Sequence, residues 1–284
     1  MRLAFHTPYD PVRLDEVTRL GIDAIQLRLG PGFALDLDDA SDAAFDAAAR
    51  DLTQRGLEVV TLGFYRNMLE PDRNARELEM ARLRRVMRLA GRFGTRIVGV
   101  FAGRDPDRTI VESVEDFVEA WTPAIREAED LDLVLAIENC TMFRGHRLWS
   151  INFAHTPSAF DQLFTALPSP ALGIELDPSH LHKQGLDPVA FVERFGERIV
   201  HVHAKDHEHL PDLLAEHGRF SLETSRDRFP GKGEIDFAVM IAALLGVGYD
   251  GAITIEAERD PEATDEASRF RLLQDAVDVL APLV

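Results

Sequence analysis

Apolar positions along this chain fall into two alternating patterns. Short runs rich in Val, Ile and Leu recur at Arg2 to His6, Ala24 to Arg28, Leu57 to Gly63, Arg96 to Phe101, Leu133 to Asn139, Leu172 to Asp177, Ile199 to His203 and Ala252 to Glu256. Continuous apolar runs of this length read as strands buried on both faces, as in a parallel sheet. Between them, apolar residues spaced three and four apart predict helices over about 15–20, 43–54, 75–93, 112–130, 158–167, 188–195, 236–245 and 264–281. Gly21, Gly56, Gly94 and Gly246 stand where several of these helices should stop. The stretch from about 207 to 231 reads as a long loop, and a shorter polar loop carries Arg144, His146 and Arg147.

Eight strands alternating with helices over 284 residues predict an α/β fold, a single-domain (β/α)8 TIM barrel spanning 1–284. Active sites of such barrels lie at the C-terminal ends of the strands. An open nucleotide-binding sheet would want a glycine-rich turn after the first strand, and His6-Thr7-Pro8-Tyr9 is not one. No Pro/Gly/Ser-rich linker divides the chain.

Ile199 to Asp206 is the stretch around which the rest is arranged. Side chains alternate along a strand, so His201 and His203 share one face, and the run delivers His203, Lys205 and Asp206 at its end. Three other runs end comparably, in Glu138, Asp177 and Glu256. Two Glu, one Asp and one His make a hard, oxygen-rich ligand set that suits Mn²⁺ or Mg²⁺ and tolerates Zn²⁺ or Co²⁺. Three carboxylates gathered in a barrel mouth would repel one another strongly, and one divalent cation relieves that repulsion. Singly, each of these residues could equally cap a loop or form a salt bridge; four at consecutive strand ends are harder to explain so.

Charge narrows the partners. Lys and Arg number 31 against 49 Asp and Glu, a formal net charge of −18, which argues against nucleic acid and anionic membrane surfaces. The arginines at 82, 84, 85, 88 and 92 read as a solvated outer helix face. With Cys140 as the one cysteine, no internal disulfide can form. No signal-like N-terminal stretch and no run of about 18 apolar residues is present, so a soluble, cytoplasmic protein is expected. A homo-oligomer is compatible with the sequence.

Ile137-Glu138-Asn139, Asp177-Pro178-Ser179-His180, His203-Ala204-Lys205-Asp206, Gly231-Lys232-Gly233-Glu234-Ile235-Asp236-Phe237 and Ile255-Glu256 occur in that order. In these motifs the chain resembles the xylose-isomerase-like barrels, which include sugar isomerases and epimerases, inosose dehydratases and endonuclease IV. The resemblance implies that Glu138, Asp177, His203 and Glu256 hold one divalent cation, and that Glu138 and Glu256 act as acid and base on the carbon next to a carbonyl. It implies that His180 touches substrate or metal. Proton abstraction there gives an enediolate, from which epimerisation, isomerisation or loss of a β-hydroxyl can follow.

Two departures from the family pattern bear on substrate. Lys205-Asp206 follows the metal histidine where ketose 3-epimerases carry Gly-Glu, and Gln26 stands where many members end the second strand with Glu. Lys205 is expected either in an ion pair or on a substrate oxygen, and His6 either in the pocket or packed. Arg226 and Arg228 are weighed as ligands for a phosphate or carboxylate against solvated loop charges. Trp149, Phe64 and Phe153 are candidates for an apolar pocket wall, whereas His207, His209 and His217 are assigned to the surface. The function expected is a metal-dependent isomerase or epimerase of a small sugar or polyol-derived substrate, with an inosose-type dehydratase as the alternative. An endonuclease IV-like hydrolase would need further ligands, for which His201, His180 and Asp206 were available, and a basic face; a non-catalytic sugar binder would need no acid pair.

Overall fold

The computed structural model describes residues 1–141, 151–219, 221–256 and 259–284. Its centre is a closed barrel of eight parallel strands: β1 (Arg2–Pro8), β2 (Ala24–Arg28), β3 (Glu58–Phe64), β4 (Ile97–Val100), β5 (Val134–Glu138), β6 (Leu172–Leu176), β7 (Ile199–Ala204) and β10 (Ala252–Ile255). β10 closes the ring between β7 and β1.

The outer helices are α1 (Pro11–Arg19), α2 (Asp42–Gln54), α3 (Arg73–Phe93), α4 (Ile110–Asp130), α5 (Pro157–Ala166), α7 (Pro188–Phe195), α9 (Phe237–Gly246) and α10 (Glu266–Leu280). Local chemistry sets their limits. Thr109 and Glu112 form a reciprocal capping box at the start of α4, and Gly94, at φ 73°, closes α3 in a left-handed turn that a side chain would strain. Phe45, Phe117, Trp121, Phe160 and Phe191 fill the layer between helices and sheet. Arginines of α3 pair across to their neighbours, Arg82 with Asp38, Arg88 with Glu127, and Arg92 with Asp42 and Asp46, while Arg82 also pairs with Glu79 within the helix. That face is therefore laced by ion pairs to adjoining elements. Among the described residues no helix is long and apolar enough to cross a membrane.

The stretch after β7 differs from the expected loop. Residues 206–228 fold into an antiparallel hairpin of β8 (Asp206–His209) and β9 (Ser225–Arg228), with α8 (Pro211–His217) between them. Its strands read Asp-His-Glu-His and Ser-Arg-Asp-Arg, so they carry none of the apolar alternation that marks a strand. Cross-strand charge holds it instead: Glu208 meets Arg226 at 2.9 Å and Arg228 at 2.7 Å. A short helix, α6 (Pro178–Gln184), directly follows β6 and was likewise not expected.

Candidate metal site at the barrel mouth

β5, β6, β7 and β10 bring Glu138, Asp177, His203 and Glu256 together, with one ligand atom from each lying within 4.8 Å of all the others. The local sequence explains how each is aimed. Asp177 caps α6: its Oδ1 accepts from the Ser179 amide at 2.9 Å and from Ser179 Oγ at 2.5 Å, which leaves Oδ2 for the barrel mouth. Asn139 fastens the ends of β5 and β6, donating to the Asp177 carbonyl at 2.8 Å and accepting from its amide at 2.7 Å. The Ile-Glu-Asn and Asp-Pro-Ser-His motifs are thus two halves of one clamp.

His203 is oriented from behind. Its Nε2 lies 2.8 Å from Gln26 Oε1 and 3.2 Å from Glu175 Oε1. Nδ1 then faces Glu256 Oε2 at 2.8 Å and Glu138 Oε1 at 3.4 Å, and against burial Glu175 and these carboxylates raise the ring's pKa well above its ordinary value. Gln26 Nε2 also donates to Glu175 Oε1 at 2.6 Å and to Tyr65 Oη at 2.5 Å, and Tyr65 Oη donates to Glu175 Oε2 at 2.7 Å. Gly99 makes this possible, since a Cβ there would lie 2.7 Å from both Glu175 carboxylate oxygens. Sequence reading missed Glu175 and Tyr65 and saw in Gln26 only a lost charge. All three sit inside or directly after apolar strand runs, where nothing in the pattern flags them.

Electrostatics separate the carboxyl groups. Burial pushes Glu138 up to about 7, against the pull of His203 and Lys205. Burial is the largest single influence on Glu256 and Asp177 as well, but there the neighbours together outweigh it, Lys205 and His203 at Glu256 and Lys205, His180 and His203 at Asp177, and hold both below the usual carboxylate range. Lys205 Nζ stands 2.5 Å from Asp177 Oδ2 and 3.4 Å from Glu256 Oε1. It also meets His180 Nε2 at 3.3 Å, while His180 Nδ1 faces Thr141 Oγ1 at 3.2 Å. Burial and Lys205 press His180 down to about 4, so its ring is neutral at pH 7.

The four residues fit a divalent cation. Asp177 Oδ2, His203 Nδ1 and Glu256 Oε2 are buried without a well-formed hydrogen bond, although they crowd against one another. Their close neighbours are one another and Lys205, so two carboxylate oxygens and an imidazole nitrogen converge from three strand ends, a donor set of the hard, mostly oxygen kind that a divalent cation takes.

Other expected residues are distributed differently. His180, Lys205, Glu138 and Glu256 line one cavity at the mouth, with Tyr65, Phe101 and Cys140. His6 is buried and stacks on the His203 ring at a centroid distance of 5.9 Å. Arg228 does not line the cavity. It is a buried structural cation, gripped by Glu208 at 2.7 Å, Glu262 at 2.5 Å and Asp260 at 3.2 Å, and Arg226 is paired to Glu208. Phe64 and Phe153 are fully buried in the core rather than in the pocket wall. Strand alternation explains the first: Phe64 points into the helix layer, and its successor Tyr65 faces the site. Trp149, Arg144, His146 and Arg147 lie outside the described residues.

His207 is not the surface residue expected, because the hairpin folds it fully buried against α6, where His209 also packs but stays partly exposed. Nor do His201 and Asp206 serve as spare ligands. His201 bridges Thr61 and Thr254 inside the barrel at 3.0 and 2.9 Å. Asp206 accepts from the amides of His207, Gly231, Gly233 and Ile235 at 2.8–3.0 Å.

Comparison with known proteins agrees with this architecture. An inosose dehydratase of Lacticaseibacillus casei is 34% identical over 110 residues, a stretch that covers 37% of each protein; the chain thus spans little more than a third of the length of that curated relative. Among solved structures, D-psicose 3-epimerase from Clostridium cellulolyticum H10, determined with D-tagatose, superposes with a TM-score of 0.76 at 16% identity, over 100% of this chain and 99% of that one. The IolI protein with a bound zinc atom superposes with a TM-score of 0.75 at 20% identity, again over 100% and 99%. A sequence model of one family matches residues 14–280. On that match, and with the closed eight-stranded barrel already described, the chain belongs to the xylose isomerase-like TIM barrel family.

Proposed function

We propose that this protein is a divalent-metal-dependent isomerase or epimerase of a small polyhydroxy carbonyl compound. The observation that carries the reading is the convergence of Glu138, Asp177, His203 and Glu256, one ligand atom of each within 4.8 Å of the others, at the C-terminal end of the barrel beside a cavity that Glu138 and Glu256 line. The inosose dehydratase and the epimerase among the similar proteins support a substrate of sugar or inositol type.

Environment assigns the roles. Glu256 is held ionised by Lys205 and His203, and is the base that takes the proton from the carbon next to the carbonyl. The C–H electron pair moves into the carbonyl, giving an enediolate. Glu138, the second carboxyl group of the pair, is the acid that returns a proton to the other face and inverts the carbon. Return to the neighbouring carbon gives isomerisation instead. A divalent cation held by the four residues supplies positive charge for the oxygen that becomes anionic. His180, neutral and pinned between Thr141 and Lys205, is placed to hold a substrate hydroxyl.

Dehydration of an inosose-type substrate is the second reading, and Lys205 favours it. Its ammonium group lines the cavity within 3.4 Å of Glu256, where it can protonate a β-hydroxyl as it leaves the enediolate. Incubation of the metal-loaded protein with ketoses and inososes in deuterated water separates the cases. Deuterium at the α-carbon with retained mass composition otherwise means epimerisation or isomerisation, and loss of water means dehydration. No exchange into any panel member, in folded protein supplied with each cation in turn, would leave only the barrel.

A further inference from the structure

A second group of metal-binding side chains lies away from the barrel mouth, where α6 meets the hairpin. His182, on the turn of α6 that follows His180, faces His207 and His209 of β8, with ring centroids 4.8–5.3 Å apart. One ligand nitrogen from each lies within 4.8 Å of the others. We propose that His182, His207 and His209 form a second metal site, a three-imidazole centre for Zn²⁺ or another borderline transition ion, which pins the hairpin to α6.

Several observations support this independently of the barrel site. His182 Nδ1 and His207 Nδ1 stand 3.1 Å apart, close to the ~3.3 Å that separates two nitrogens on a tetrahedral zinc with Zn–N near 2.0 Å. His209 Nε2 is buried without a hydrogen bond, so that ring keeps an unused nitrogen for an ion. Glu234 Oε2 takes the other nitrogen of His209, Nδ1, at 2.9 Å. A carboxylate on the outer nitrogen is the usual way a metal-binding imidazole is fixed in tautomer and direction. Burial drives His207 down to about 3 and lowers His182 too, so these rings offer lone pairs rather than charge at pH 7.

The frame is rigid as well. Asp206, one residue before His207, is tied to four backbone amides, and the Glu234 amide donates to the His207 carbonyl at 2.9 Å. His182 and His209 keep partial side-chain exposure of 26% and 14%, which gives an ion a way in and leaves a fourth position to solvent. The donors also differ from those at the mouth: three nitrogens select zinc, cobalt or nickel over magnesium or manganese.

Metal counting tests the idea. Protein equilibrated with Zn²⁺ and dialysed should hold two ions per chain. The double variant Glu138→Gln/Asp177→Asn should keep one, and His207→Gln/His209→Gln should keep a different one. If the buried histidine pair cannot be replaced without unfolding, His182→Gln, on a half-exposed position, should also lose one ion. Co²⁺ in Glu138→Gln/Asp177→Asn should give the strong visible absorption of a tetrahedral site, and His182→Gln in that background should abolish it. A single wild-type ion that is lost in Glu138→Gln/Asp177→Asn, or an ion count unchanged in His182→Gln, would overturn the proposal; a single ion that survives Glu138→Gln/Asp177→Asn and is lost in His182→Gln would support it and count against the mouth instead. Neither overturning result would bear on proton exchange at the barrel mouth.

Discussion

Gln26 shows how much one uncharged side chain does in this barrel. It meets His203, Glu175 and Tyr65 at once and fixes which imidazole nitrogen faces the carboxylates. Gln26→Leu should therefore weaken cation binding by about 10- to 100-fold, the usual cost of losing an outer partner of a metal-binding histidine, and calorimetric titration of the apo protein would show it. Gln26→Glu would instead set a second carboxylate against Glu175. Glu256→Gln should lower α-proton exchange by roughly 10²- to 10⁴-fold with the circular dichroism unchanged; exchange at the wild-type rate would remove Glu256 as the base. Glu138, with its pKa at about 7, makes cation binding pH-dependent. Protons compete for that carboxylate below about pH 7, so the apparent affinity should fall as pH is lowered through neutrality, with proton uptake when the cation is withdrawn. An affinity flat from pH 8 to 6 would mean that Glu138 is already ionised across this range in the metal-free protein.

At the scale of elements, the barrel strands were legible because burial on both faces forces apolar runs, and Glu138, Asp177, His203 and Glu256 were legible because each interrupts such a run at its end. The same logic hid the hairpin, whose strands are polar throughout and are held by Glu208, Arg226 and Arg228 rather than by burial of an apolar face. It hid α6, because Pro178-Ser179-His180 reads as a loop until Asp177 is seen to cap it. It also misled on Arg228, whose three carboxylate partners come from β8 and from residues 260–262, distant in sequence. Asp206 is the hinge pin of this region. Replacing it by Ala leaves four amides without their acceptor and should cost about 3 kcal/mol, one or two charge-assisted hydrogen bonds. Hydrogen exchange should then report opening of residues 206–235 ahead of the barrel strands.

Across the whole molecule, the formal charge of −18 is spread over a scaffold whose outer helices are cross-linked by arginine pairs, while the mouth collects its own acids. Loading the mouth with a divalent cation should raise the melting temperature, by the equivalent of about 2.7 kcal/mol at a free cation concentration one hundred times Kd, and a chelator should reverse the gain without unfolding the chain. The reason for that last expectation is Lys205. Its ammonium group already sits against Asp177 and near Glu256, so the polypeptide brings a counter-ion of its own to the place where like charges gather. On the proposed reading, folding is thereby separated from ion supply: the chain can complete its barrel without a cation, and an incoming one has to displace an interaction rather than organise one. Lys205→Met should reverse this order, yielding a protein that accumulates well only when a divalent cation is present in the growth medium.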